Sequence, residues 1–214
     1  MEHSGIIQTE AAAASPMEAA LVKRARRRDE AAWTQLVQEH QEPVFRLAYL
    51  MLGAQATVAD AQDLAQETFV RAYLKLAQFE DGRPLRPWLL AIAANLARNR
   101  RRSQGRYWAA LQRWWRRVGE QDAVEPAPAH VADIDSRRQA DRLWKAVQRL
   151  STDHRQAVYL RYFLDLSEQE MAAAMDVAQG TVKSRLYRAR QALREVIETE
   201  FPELHEEWNS DEHR

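Results

Sequence analysis

Apolar residues along this chain recur every three or four positions, and no stretch alternates over a strand's length, so the pattern predicts helices throughout. A short helix is expected over 17–27. Asp29 is placed to cap a second, with Trp33, Leu36, Val37 and His40 on one face. Pro43 suits the first turn of a third helix, where its missing N–H costs nothing. Phe45, Leu47, Ala48, Tyr49, Met51 and Leu52 fill that helix until Gly53 ends it. Thr57 opens a long helix to about residue 78, with Val58, Ala61, Leu64, Ala65, Thr68, Phe69, Ala72 and Leu76 inward. The loop FEDGRPLR leads to a helix starting at Pro87 that carries Trp88, Leu89, Ile92, Ala93 and Leu96 and closes in an arginine run at Arg102.

A second helical set follows. Leu143, Val147 and Leu150 mark one helix, and Ser151 caps another with Ala157, Val158 and Tyr162 inward. Ser167-Glu168-Gln169-Glu170 has the spacing of a capping box, opening a short helix with Met171, Ala172 and Met175. After a turn at Asp176-Val177, a last helix carries Val182, Leu186, Ala189 and Leu193 as a narrow apolar stripe. The expected fold is all-α: two small helical domains joined by a flexible linker, the second containing a helix-turn-helix. The boundaries read as a disordered N-terminus 1–16, a first domain 17–102, a linker 103–134, a second domain 135–196 and an acidic tail 197–214. The linker holds EPAPA and several acids, though Trp108, Leu111, Trp115 and Val118 in its front half share one helical face.

Charge sharpens this picture. The 31 basic and 31 acidic residues cancel, but they are segregated. Arg98, Arg100, Arg101, Arg102, Arg106, Arg113, Arg116 and Arg117 form one acid-free stretch. The segment GTVKSRLYRARQALR, residues 180–194, forms a second. The tail is then dense in glutamate, and its segment 198–207 would either be solvated or fold against the basic helix in competition with DNA. There is no cysteine, which excludes disulfides, thiolate zinc sites and cysteine nucleophiles. The histidines are not spaced as helix-face ligands, so neither a metal nor a cofactor is expected. The longest apolar run falls far short of the ~20 residues of a membrane span, and the N-terminal residues lack a signal-peptide pattern.

Once its apolar stripe is packed, the last helix turns Lys183, Ser184, Arg185, Tyr187, Arg188 and Gln191 outward. A solvated helix normally interleaves both signs to gain pairs one turn apart. Here the negative partners are missing. A short capped helix, a tight turn and a longer basic helix form the helix-turn-helix arrangement, whose second helix enters the major groove. Lysine and arginine neutralise phosphates there, and arginine and glutamine near the helix start reach base edges.

LSEQEMAAAMDVAQGTVKSRLYRARQALR resembles the promoter-binding region of bacterial extracytoplasmic-function (ECF) sigma factors. DAQDLAQETFVRAY resembles that family's polymerase-docking helix, and WLLAIAANLARNRRR its promoter-melting helix. The resemblance implies a non-enzymatic, cytoplasmic initiation factor. Its implied partners are core RNA polymerase, promoter DNA and an anti-sigma factor, with no small-molecule substrate and no membrane insertion. It places polymerase docking on Asp60, Asp63, Gln66 and Glu67. It places minus-ten recognition and melting on Phe79, Arg83, Trp88, Asn95, Arg98, Asn99, Arg101 and Arg102, with Glu80 and Asp81 as further loop candidates. It places minus-thirty-five recognition on Gln179, Thr181, Lys183, Ser184, Arg185 and Arg188. Asn99 and Pro87 depart from the family's frequent Asp and Thr. A helix-turn-helix regulator that binds its operator without replacing the sigma subunit is the alternative reading.

Overall fold

The computed structural model describes residues 14–53, 56–115 and 134–204, with side chains except at 103–115 and 134–139. The described residues are helical with short connections and contain no strand. They fall into two compact units, one drawn from the described residues up to 97 and from 159–182, the other from the described residues of 98–158 and from 183–204.

In the first unit, α1 (Pro16–Arg26) starts at Ser15, whose hydroxyl accepts the Glu18 N–H at 3.1 Å. It buries Leu21, Val22 and Ala25. α2 (Glu30–Leu52) is capped by Asp29, which accepts the Ala32 N–H at 3.0 Å. That bond, followed by the one from Arg24, holds the half-buried Asp29 carboxyl below its ordinary pKa.

α2 runs straight through Pro43, so the break expected there does not occur. An interior proline costs about 3 kcal/mol. Against this, Leu36, Val44, Leu47, Met51 and Leu52 keep one helical phase across the proline and are all buried. Each such side chain contributes roughly 1.5–3 kcal/mol, so packing on α1 and α3 outweighs the missing bond.

α3 (Val58–Lys75) tightens into a 3-10 turn, Leu76–Gln78. Its inward row is as expected from Ala61 to Leu76, but Val58 lies outside, 55% exposed in the first turn. Trp33 of α2 meets Phe69 edge-on at 6.4 Å and Tyr73 at 5.1 Å. α4 (Leu85–Trp115) begins two residues before Pro87, because Glu18 of α1 reaches across to accept the Leu85 N–H at 2.8 Å. It buries Leu85, Leu89, Leu90, Ala93, Ala94, Leu96 and Ala97. The helix does not stop at Arg102: its backbone continues through the tryptophan-rich start of the expected linker to Trp115.

The first unit also takes in residues 159–182. A π-turn over Tyr159–Phe163 buries Tyr159 and Leu160 and leaves Tyr162 58% exposed, so Tyr162 is not inward. The wider π-turn advances the side chains out of α-helical phase, which the 3.6-residue spacing does not anticipate. α7 (Glu168–Met175) opens with the expected capping box: Ser167 Oγ accepts from Glu170 N–H, and Glu170 Oε2 accepts the Ser167 N–H at 2.8 Å. Asp176 closes α7 in the left-handed region, with φ 54°, and donates its N–H to Ala172 and Ala173.

In the second unit, α5 (Ile134–Arg149) buries Ala146 and Val147, with Leu150 just beyond it. Leu143 is 41% exposed and does not belong to that stripe. Ser151 caps α6 (Thr152–Val158) by accepting the His154 N–H at 3.3 Å. α8 (Gln179–Glu200) continues past the basic segment into the acidic one. Ile197 and Leu204 are buried with Ala146 of α5, and Leu193, Val196 and Phe201 pack around them. Arg142 and Arg149 of α5 pair with Glu203 at 3.3 Å and Glu200 at 2.9 Å. The start of the tail is therefore folded, and it lies on α5 rather than on the basic helix. Its apolar residues give it a core to join, and its glutamates meet the arginines of α5. Residues 205–214, including Trp208, lie outside the described residues, as do Arg116, Arg117 and Val118.

Candidate nucleic-acid interface

Four surfaces carry the residues singled out by sequence. The first is the outer face of α3. Asp63, Gln66 and Glu67 are exposed there, at i, i+3 and i+4, which places them on one helical face. Asp60 has a different environment. It is half-buried, and Oδ2 accepts both the Thr57 N–H at 2.9 Å and the Thr57 hydroxyl at 2.7 Å, while Thr57 Oγ1 accepts the Asp60 N–H. This is a full capping box, so the Asp60 carboxylate is occupied with starting the helix. Glu67 pairs with Arg71 at 2.6 Å, which makes this face less acidic than its sequence reads.

The second surface is the loop between the 3-10 turn and α4, residues 79–84. Phe79 is 6% exposed and packs against half-buried Trp88, ring centroids 5.0 Å apart. In this arrangement neither ring is presented fully to a base. Glu80, Asp81 and Arg83 are exposed, with Arg83 and Glu80 paired at 2.8 Å. Gly82 turns the loop with φ 84°, where a side chain would be strained.

The third surface is the α4 segment after Trp88. Asn95, Asn99 and Arg102 are exposed at i, i+4 and i+7 and share a face, while Arg98, Arg100 and Arg101 are half-buried beside it. No acidic residue interrupts this row.

The fourth is the front half of α8. Val182, Leu186 and Ala189 are buried and Leu193 is half-buried, as the stripe predicted. Gln179, Thr181, Lys183 and Arg188 are exposed, and Arg188 donates to Ser184 Oγ at 3.4 Å. Arg185 is more enclosed: its side chain is 22% exposed, and its guanidinium lies 3.9 Å from Asp153. Part of its charge is therefore already answered. The partial positive charge of the helix start adds to the field of the remaining cations.

Two further residues shape these surfaces and carry no local sequence signal. Glu18 accepts from a backbone N–H 67 residues away. Burial pushes its carboxyl up, but the nearby His40 imidazole and the bond from the Leu85 N–H outweigh that and hold it below the ordinary range. Arg26 bonds to carbonyls 50 and 53 residues away. Such distant partners appear only once the chain is folded.

The sequence matches Sigma-70 region 2 over residues 36–107 and Sigma-70 region 4 over 140–193. It is 30% identical over 184 residues to the ECF RNA polymerase sigma factor SigW of Bacillus subtilis, covering 82% of this chain and 94% of that protein. The chain belongs to the ECF sigma-factor family. It is also 38% identical over 166 residues to ECF RNA polymerase sigma factor SigE of Mycolicibacterium smegmatis, spanning 77% of this chain and 61% of the length of that protein. Among solved structures it resembles the sigma factor RpoE of Bartonella quintana, in complex with the anti-sigma factor NepR. The TM-score is 0.57 with 28% identity, covering 78% of this chain and 97% of the other. In this sigma factor, region 2 takes in α3, loop 79–84 and the arginine row of α4, and region 4 takes in α7 and the basic half of α8.

Proposed function

We propose that this ECF sigma factor binds core RNA polymerase through the outer face of α3 and directs it to promoters, acting at two elements with two cationic helices. The observation that carries the proposal is the pair of acid-free rows, 95–102 on α4 and 183–194 on α8, each within its own family segment. Asp63, Gln66 and Glu67 would meet a basic polymerase surface, with Asp60 holding the helix start from which they project. Loop 79–84 would select a base extruded near the minus-ten element, through Glu80, Asp81 and Arg83, with Phe79 and Trp88 as its floor. Asn95, Arg98, Asn99, Arg101 and Arg102 would track the adjacent backbone.

On α8, Lys183 and Arg188 would hold phosphates at the minus-thirty-five element, and Gln179, Thr181, Ser184 and Arg185 would approach base edges. The functional modules would be residues 17–102 and 135–196, with 103–134 between them. The factor would work in the cytoplasm without catalytic activity, cofactor or metal. A protein inhibitor is a fitting further partner, since the RpoE relative is seen with one. No helix among the described residues is long and apolar enough to cross a membrane. A regulator acting on its operator alone would have no use for a region 2 segment, so that reading is not favoured.

The test is reconstitution with core polymerase on a randomised promoter library, with start sites mapped. Start-site-selective transcripts that depend on this protein support the proposal. Absence of both a stable complex and selective transcripts overturns it.

A further inference from the structure

Loop 79–84 has no helix or strand of its own to hold its shape. Besides the Phe79–Trp88 packing and the Glu80–Arg83 pair, it is tied to α1. Arg26, in the last turn of α1, directs its whole guanidinium at the loop and the turn before it. Nε donates to the Leu76 carbonyl at 3.0 Å, one Nη donates to Asp81 Oδ1 at 2.6 Å, and the other donates to the Phe79 carbonyl. These partners lie at the start of the 3-10 turn, the first loop residue and the third. The Arg26 side chain is 23% exposed while Asp81 is 59% exposed, so the arginine lies beneath and the loop on top. A planar, permanently charged fork fixes three acceptors at once, which a lysine's single ammonium does not reproduce. The far limb is tied as well: Ala14, just before α1, donates its N–H to the Gly82 carbonyl at 3.1 Å. A basic residue at a helix C-terminus is favourable by itself. That general effect does not require three partners on one distant loop.

We propose that Arg26 is a positioning residue for base selection: it sets the shape of loop 79–84 in which Asp81 and its neighbours are presented to an extruded base. The proposal rests on the reading of this loop as the base-selecting one. Displacing a recognition group by about 1 Å costs up to roughly a hundredfold in rate, so a loop left without its fork should lose discrimination before it loses binding.

The experiment uses the full chain with Arg26→Ala, Arg26→Lys, Asp81→Ala and Glu80→Ala. Amide hydrogen exchange is measured on the free protein, and base preference on a randomised minus-ten library with core polymerase. For Arg26→Ala, the amides of 79–83 should exchange faster while those of α2 and α3 keep their protection. Base preference at the loop-read position should fall roughly tenfold, with preferences elsewhere retained. Arg26→Lys should fall between Arg26→Ala and the native protein, and it carries the test if the alanine variant does not fold. Unchanged exchange in the loop, or an unchanged preference profile in a folded Arg26 variant, overturns the proposal. If Asp81→Ala and Glu80→Ala leave the profile unaltered, the base-selecting reading of the loop is what fails, and the inference goes with it. If those variants shift the profile and Arg26→Ala does not, the loop reading stands and the role of Arg26 fails alone.

Discussion

Asp60 and Asp63 sit one turn apart on α3, and the structure gives them different surroundings. Asp60 closes the capping box with Thr57, while Asp63 is exposed on the outer face. Asp60→Ala should cost about 1–2 kcal/mol of stability, read as a lower denaturation midpoint. Asp63→Arg should change stability by less than about 1 kcal/mol yet weaken assembly with core polymerase by roughly tenfold or more, read by titration of the complex. Glu18 adds a pH dependence. Its carboxylate accepts the Leu85 N–H and lies 3.5 Å from His40 Nε2. Glu18→Gln should cost about 1–2 kcal/mol near neutrality, since a charge-assisted bond at a helix start is lost. The folded Glu18 pKa is lowered, so its contribution is present above the ordinary value of 4.5 and fades as pH falls through the lower folded value. The difference between native and Glu18→Gln melts should accordingly shrink in that acid window.

At the level of helices, the sequence is readable wherever a cap or stripe is local. Asp29, Ser151 and Ser167 cap where their spacing says they should, and Val182, Leu186 and Ala189 face inward as their periodicity requires. The Thr57–Asp60 box is equally local, with the same three-residue spacing as the Ser167–Glu170 box. Pro43 misleads because its cost is set against a stripe that becomes buried only in the folded unit. The loop's dependence on Arg26 is invisible in sequence for the same reason: its partners are distant in the chain. On α8, Arg185 lies beside Asp153 and Arg188 is exposed. Arg188→Ala should therefore lower the slope of log affinity against log salt for a minus-thirty-five duplex by about one. Arg185→Ala should lower it by less, because its charge is already partly neutralised.

At the scale of the whole molecule, charge segregation and packing meet at the C-terminus. Residues 197–204 contribute Ile197 and Leu204 to a core with Ala146, and Glu200 and Glu203 to ion pairs with α5. Truncation after Glu195 should therefore destabilise the second unit by about 3–5 kcal/mol, visible as an earlier melting transition, since it removes two buried side chains and their neighbours. Tighter duplex binding without loss of stability would contradict this. The reversal of sign along α8 also fixes a polarity. Cations run from Lys183 to Arg194, and glutamates begin at Glu195 in the same unbroken rod. The attractive part is about 17 Å long, at 1.5 Å per residue, roughly the height of five stacked base pairs. A polyanion pulls the front of such a rod in and pushes its rear away. If α8 meets promoter DNA as proposed, the helix would act as its own depth gauge, admitting a short stretch of duplex nose-first and resisting any slide further along it.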